Sequence, residues 1–104
     1  MGKLVDGVWH AKDPVNPTDG SGAFKRKDSS FRDRVEDHDG ARFQPEPGRY
    51  HLYVAYACPW AHRTLIMRSL KGLEKMISVS VVTPLMLENG WTFSAEQPDH
   101  LFGL

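Results

Sequence analysis

The fold is decided by Tyr53-Val-Ala-Tyr-Ala-Cys-Pro-Trp-Ala-His-Arg63, where an aromatic-rich apolar segment runs directly into a cysteine and a proline. Residues 50–56 are rich in aromatic and β-branched side chains without strict alternation, which is typical of a strand covered on both faces. Pro59 has a fixed φ and no backbone donor, so it suits the first turn of a helix. The stretch therefore predicts a strand at 50–56 and a helix that begins at Pro59.

The residues that follow predict the rest of one strand-helix-strand unit. Ile66, Leu70 and Leu73 are spaced as one apolar face of a helix, and Lys71-Gly72 is a plausible end, so we expect the helix at 59–71. Residues 77–82 then alternate with a period of two and predict a second strand. A right-handed crossover would make the two strands parallel, and the fold class is therefore α/β.

Upstream of this unit the composition changes. Residues 1–48 contain 13 apolar side chains, whereas residues 49–104 contain 29. The first part is also rich in charge and in turn-forming residues, so it predicts an extended, mostly irregular N-terminal arm at 1–48. Its basic run at 25–27 is interleaved with acidic residues, which favours a solvated surface. The core is expected in a domain at 49–104.

The length of the chain and its balance of charges limit the classes of function that the protein can have. A chain of 104 residues with 13 basic and 13 acidic side chains holds one small core and has no long-range field toward nucleic acid or an anionic membrane. It has no apolar run long enough to span a membrane and no signal-peptide pattern at its start. We expect a cytoplasmic protein, and its single cysteine fits a reducing compartment.

That cysteine, Cys58, stands at the predicted strand-to-helix junction. Unpaired backbone N–H groups and the positive end of the helix dipole favour a thiolate there. A lone cysteine is often only a buried apolar side chain, but a following proline at such a junction is typical of thiol-disulfide enzymes. Ala61 occupies the place of a second thiol, so any disulfide must be intermolecular and must be released by an external thiol such as glutathione.

Four further residues are candidates for supporting roles. Pro59 fixes the start of the helix, and His62 and Arg63, one turn along, could add positive charge or be ordinary exposed residues. Trp91, after the turn Asn89-Gly90, could supply an apolar wall and one N–H donor, or anchor the loop in the core. The five histidines are scattered without metal-ligand spacing, and we expect no metal site.

Several blocks of the sequence resemble one family closely, the glutathionyl-hydroquinone reductases or xi-class glutathione transferases. The specific element is Ala57-Cys-Pro-Trp-Ala-His-Arg-Thr-Leu-Ile-Met67. The similar flanking blocks are Gly2 to His10, Phe24 to Arg32, Tyr50 to Tyr53, Leu70 to Glu74, Ile77 to Val82 and Pro84 to Phe93. The resemblance implies a partial thioredoxin-like domain, the N-terminal domain of a glutathione transferase.

The resemblance also implies a chemistry. The thiolate of Cys58 would take glutathione from a glutathionyl-hydroquinone as a mixed disulfide, and a second glutathione would release oxidised glutathione. Trp91 would contact the bound glutathione, and the family's homodimer and hydroquinone pocket would depend on a helical domain. Two alternatives stay open: another monothiol transferase or deglutathionylating activity, and an inactive truncated fragment.

Overall fold

The structure is a computed structural model that describes residues 3–11 and 28–103. It separates into two compact units, Met1–Pro45 and Glu46–Leu104. The stretch at 12–27, which includes the basic run at 25–27 and part of the predicted arm, lies outside the described residues. Within the described ranges, no helix is long and apolar enough to cross a membrane.

The first unit begins with a short hairpin that the prediction of a mostly irregular arm did not include. Strands β1 (Lys3–Val5) and β2 (Val8–His10) pair antiparallel. Asp6 and Gly7 connect them with φ of 49° and 79°. Positive φ at both central residues is the geometry of the two-residue turns that match strand twist, and Asp-Gly is a preferred pair for it.

The second unit contains the strand-helix-strand unit. Strand β3 covers Tyr50–Val54, helix α1 covers Pro59–Leu70 and strand β4 covers Ile77–Val81. The two strands pair in parallel, with Tyr50 opposite Ile77 and Val54 opposite Val81. The predicted α/β fold class, a partial thioredoxin-like domain with one such unit, is confirmed.

The observed elements end slightly earlier than the ranges 50–56, 59–71 and 77–82 expected from sequence. Strand β3 stops at Val54 because the chain turns there, with the Cys58 N–H donating to the Ala55 carbonyl at 3.0 Å. Helix α1 stops at Leu70, and Gly72 follows with a φ of 67°, a left-handed conformation that suits glycine.

A single arginine joins the end of the helix to the next strand. Arg68 donates from Nε to the Ile77 carbonyl at 2.7 Å and from Nη2 to the Glu74 carbonyl at 2.8 Å. Charge-assisted hydrogen bonds of this kind are stronger than neutral ones. They fix the turn that brings the chain back to the start of β4.

The buried part of the second unit is small and partly polar. Val54 and Ala55 are the buried apolar residues among those described, and Ser80 and Asp99 are buried polar ones. Helix α1 has no buried residue, and the Ile66 and Leu70 side chains of its predicted apolar face stay largely exposed. The sheet and the segment after it, rather than the helix, therefore enclose the core of this unit.

We call residues 92–101 the return segment, because they run back to the sheet after β4. Tyr53 of β3 touches the Phe93 ring edge-on and donates its hydroxyl to Asp99, at 3.3 Å to each carboxylate oxygen. The His100 N–H donates to Ser80 Oγ at 3.0 Å. These contacts attach a segment without helix or strand to both strands.

Candidate active site

Cys58 is the N-cap residue of α1, with extended backbone angles of φ −96° and ψ 115°. Its N–H is bonded to the Ala55 carbonyl, and its own carbonyl accepts the first helical hydrogen bond from the His62 N–H at 3.0 Å. Pro59 occupies the next position, where the missing N–H costs nothing. The backbone therefore places a half-buried side chain at the very start of the helix.

The Cys58 thiol is free, and the chain has no second cysteine. Its side chain makes no capping hydrogen bond, and no acidic residue lies in the first turn of α1. An N-cap side chain normally accepts from the N–H of the second or third helical residue, here Trp60 or Ala61. Those donors and the positive end of the helix dipole are therefore oriented to stabilise an anion at this end of the helix.

His62 and Arg63 both lie on the exposed surface of α1. The Arg63 guanidinium carbon stands 5.6 Å from the centre of the Trp60 ring, in cation–π range. The His62 ring makes no hydrogen bond or ion pair with any other residue that the structure describes. Arg63 is thus engaged with Trp60, and neither side chain forms a hydrogen bond with Cys58.

Trp91 lies on the loop between β4 and the return segment, and its residue surface is 37% exposed. A turn closes the tip of this loop, where the Gly90 N–H donates to the Leu87 carbonyl at 3.0 Å. At its base, Thr83 donates from N and from Oγ1 to the Thr92 carbonyl, at 2.9 and 3.1 Å. The two ends of the loop are therefore held close together.

The parallel pairing brings the two candidate segments to one edge of the sheet. Val54 and Val81 are in register at the carboxyl ends of their strands, and the Val82 N–H donates to the Val54 carbonyl at 2.9 Å. The connection that carries Cys58 and the loop that carries Trp91 both begin at this edge. In α/β sheets, ligands bind outside the carboxyl ends of the strands.

A polar cluster on the sheet was not predicted from sequence. His51 bridges two serines, with Nδ1 at 2.6 Å from Ser78 Oγ and Nε2 at 2.9 Å from Ser80 Oγ. Tyr53 and Asp99 extend the cluster to the return segment. One signal was available: His51, Tyr53, Ser78 and Ser80 alternate along their strands and so share one face.

The pKa of Tyr53 rises from its ordinary value of 10.0 through partial removal from water and then through the Asp99 carboxylate, which also accepts its hydrogen bond. All three influences favour the neutral phenol. The neutral phenol is the form that can donate to Asp99. The interaction therefore depends on a protonated Tyr53.

A cavity of about 570 Å³ lies between the loop and the return segment. Thr83, Leu85, Leu87 and Gln97 contribute to its wall, whereas Cys58 and Trp91 do not. In the two described ranges, no group of three or more His, Cys, Asp or Glu side chains is placed to hold a metal ion.

Two curated proteins of similar sequence are named glutathionyl-hydroquinone reductases. The chain is 58% identical to a glutathionyl-hydroquinone reductase of Escherichia coli over 106 aligned positions, and the alignment covers 94% of the chain and 31% of the relative. It is also 58% identical to a glutathionyl-hydroquinone reductase of Sphingobium chlorophenolicum, over 89% of the chain and 28% of the relative. The chain thus spans about a third of the length of the curated relatives it matches.

Solved structures agree with this grouping. A xi-class glutathione transferase from Natrialba magadii superposes with a TM-score of 0.79 at 52% identity, covering 100% of this chain and 31% of the other. The glutathione-bound structure of a glutathione transferase homologue from Escherichia coli gives a TM-score of 0.71 at 46% identity, covering 98% and 30%. No protein-family model matches the chain.

Proposed function

The chain belongs to the xi-class glutathione transferases, the family that includes glutathionyl-hydroquinone reductases, and we propose that it supplies the nucleophile for glutathione-dependent reduction of S-glutathionyl-hydroquinones. The observation that carries the proposal is the free, half-buried thiol of Cys58 at the N-cap of α1, directly before Pro59. The similarity to reductases at 58% identity supports the substrate class.

The reaction has two steps, an attack of a thiolate on a thioether sulfur and a thiol–disulfide exchange. In the first, the Cys58 thiolate attacks the glutathione sulfur of the substrate, a sulfur–sulfur bond forms and the carbon–sulfur bond breaks. The hydroquinone ring keeps the electron pair and takes up a proton. In the second, the thiolate of another glutathione attacks the glutathione sulfur of the mixed disulfide and releases Cys58 as a thiolate. The products are hydroquinone and oxidised glutathione.

The surrounding residues act on the sulfur and on the glutathione. The helix dipole and the N–H groups of Trp60 and Ala61 stabilise the negative charge of the Cys58 thiolate in both steps. Trp91 offers an apolar wall and an indole N–H to bound glutathione. Pro59 contributes by fixing the first turn of α1, while His62 supplies an exposed ring one turn away.

The same thiol chemistry supports a broader second candidate, removal of glutathione from other mixed disulfides. Attack at a glutathione sulfur uses only the groups around Cys58 and the glutathione contact at Trp91. We propose a cytoplasmic setting for either activity, where glutathione is the prevailing thiol. A homodimer, as expected from the family resemblance, would belong to the full-length protein.

Intact-mass analysis of the full chain after incubation with a glutathionyl-hydroquinone tests the proposal. We expect the mass of one glutathionyl group on the wild-type chain, none on Cys58→Ala, and release of one hydroquinone for each adduct. Oxidised glutathione in a parallel incubation separates the two candidates. An adduct that forms only with oxidised glutathione would refute reduction of glutathionyl-hydroquinones and support the broader activity. No adduct with either reagent would refute both candidates.

A further inference from the structure

We infer that Thr83 is a positioning residue for Trp91, because it holds the loop that carries the indole at the carboxyl edge of the sheet, where Cys58 is presented. The inference rests on the proposed contact between Trp91 and glutathione. It assigns a role to a residue outside the cysteine motif and away from the helix.

Two donors of one residue meet a single acceptor at the base of the loop. The Thr83 N–H and Oγ1 both donate to the Thr92 carbonyl, at 2.9 and 3.1 Å. A carbonyl oxygen has two lone pairs, so both bonds can form together. They hold Thr92, the residue bonded directly to Trp91, beside Thr83. Thr83 itself lies two positions beyond the end of β4.

The loop itself offers little else to hold the indole. Leu85 and Leu87 are 63% and 68% exposed, and the tip is closed by a hydrogen bond within the loop. Across the described part of the chain, the hydrogen bonds that close the base of this loop are those between Thr83 and Thr92, and the Val82 N–H bond to the Val54 carbonyl attaches its start to the sheet. Trp91 is 37% exposed, and this backbone attachment contributes to holding it in position.

The far side of the attachment is anchored independently. Phe93, next to Thr92, contacts the Tyr53 ring at 5.8 Å between centroids, and His100 is bonded to Ser80. The return segment therefore stays on the sheet when a Thr83 donor is lost. Removal of the Thr83 hydroxyl should loosen the loop at Trp91 and leave the rest of the unit in place.

Thr83→Val tests the inference, since it keeps the branched shape and the N–H and removes only the hydroxyl donor. Thr83→Ser, which restores that donor, is the matched control. The measurement is the rate of adduct formation on the full chain against the concentration of oxidised glutathione. We expect Thr83→Val to raise the half-saturating concentration roughly threefold to tenfold, the range for one lost hydrogen bond, and the limiting rate to stay within about twofold.

Two further measurements distinguish positioning from general damage. The rate of Cys58 alkylation by iodoacetamide, which needs no contact with Trp91, should be the same in Thr83→Val and wild type. In a Trp91→Phe background, Thr83→Val should add little to the rise in half-saturating concentration, because both changes remove the same contact.

The outcomes separate this inference from the proposed function. Saturable adduct formation that Thr83→Val leaves unchanged, or effects of Thr83→Val and Trp91→Phe that simply add, would overturn the positioning role alone. Equal slowing of iodoacetamide alkylation would also overturn it, in favour of a structural role. A wild-type chain that forms no adduct would refute the proposed function and this inference with it.

Discussion

Two connections leave the carboxyl edge of the parallel sheet, and they are held there by different means. The short one, residues 55–58, is a tight backbone turn closed by a hydrogen bond from the Cys58 N–H to the Ala55 carbonyl. The long one, residues 82–101, depends on side chains far apart in sequence, such as Tyr53 with Asp99 and Ser80 with the His100 N–H. One carries Cys58, the proposed nucleophile, and the other carries Trp91.

This difference indicates which of the two connections tolerates amino-acid substitution better. Because the first connection uses neighbouring backbone atoms and a proline, its geometry needs few partners. The second is held by several contacts, and its buried polar groups Asp99 and Ser80 each bond to a partner on another element, so a change at either one weakens the attachment. Substitutions in the two connections should therefore alter different properties, the thiol chemistry in one and the ordering of the loop in the other.

The largest expected effect is a change of product at the start of α1, directly after the short connection. Ala61→Cys would place a second thiol three residues after Cys58, the spacing of dithiol oxidoreductases. We expect oxidised glutathione to yield an intramolecular disulfide, seen by intact-mass analysis as the loss of two hydrogens instead of a stable adduct. Ala61→Ser is the matched control and should keep the adduct. A persistent adduct on Ala61→Cys would mean that the helix start is not built as described.

Next in size is the removal of Asp99, the buried carboxylate of the long connection. Asp99→Ala would leave the Tyr53 hydroxyl and the Leu101 N–H, bonded to Asp99 at 2.8 Å, without their acceptor. Losing a buried partner costs about 1–3 kcal/mol. Hydrogen exchange of the amides at 99–103 should therefore accelerate roughly tenfold or more. Iodoacetamide alkylation of Cys58 should not change, and a large change there would show that the two connections are coupled.

A smaller effect is expected when the hydrogen bond between Tyr53 and Asp99 is tested by raising the pH. Since the pKa of Tyr53 is raised in the folded chain, folding favours the protonated phenol. Its contribution to stability is fully present below the unfolded pKa near 10.0 and is lost as the pH rises through the higher, folded value. Ultraviolet titration should show a phenolate component that forms above the ordinary pKa of 10.0, and Tyr53→Phe should remove it. A component that survives Tyr53→Phe would contradict the assignment of the raised pKa to Tyr53.

The smallest expected effect is for Arg63, on the same helix as Cys58. Arg63→Ala should change the rate of adduct formation by less than about twofold, because the guanidinium lies over Trp60 and exposed charges are screened by salt. The measurement is the adduct rate at low and at moderate ionic strength. Arg63→Lys is the control that keeps the charge. A loss of tenfold in Arg63→Ala, restored by lysine, would give Arg63 a direct electrostatic role.

The difference between local and long-range attachments also explains which features of the fold and the site could be predicted from the sequence. The fold class and the placement of Cys58 before a helix rest on local signals, such as Pro59 and the alternation at 77–81, so they could be inferred from neighbouring residues. The Asp6-Gly7 hairpin rests on an equally local signal, which the irregular composition of the surrounding arm obscures. The attachments of Asp99 and Thr83 are set by pairing across 46 and 9 residues, which no local pattern encodes. The role of Trp91 remains a prediction.

Ala61, which stands where a dithiol site has its resolving cysteine, gives the proposed reaction an expected kinetic order. A dithiol site clears its mixed disulfide with a tethered thiol, whose effective concentration reaches the millimolar range or higher and does not depend on the surroundings. A chain with one thiol must wait for a collision, so the lifetime of its adduct is inversely proportional to the concentration of free thiolate in solution. Doubling that concentration should halve the lifetime of the adduct, whereas a dithiol site would show no dependence.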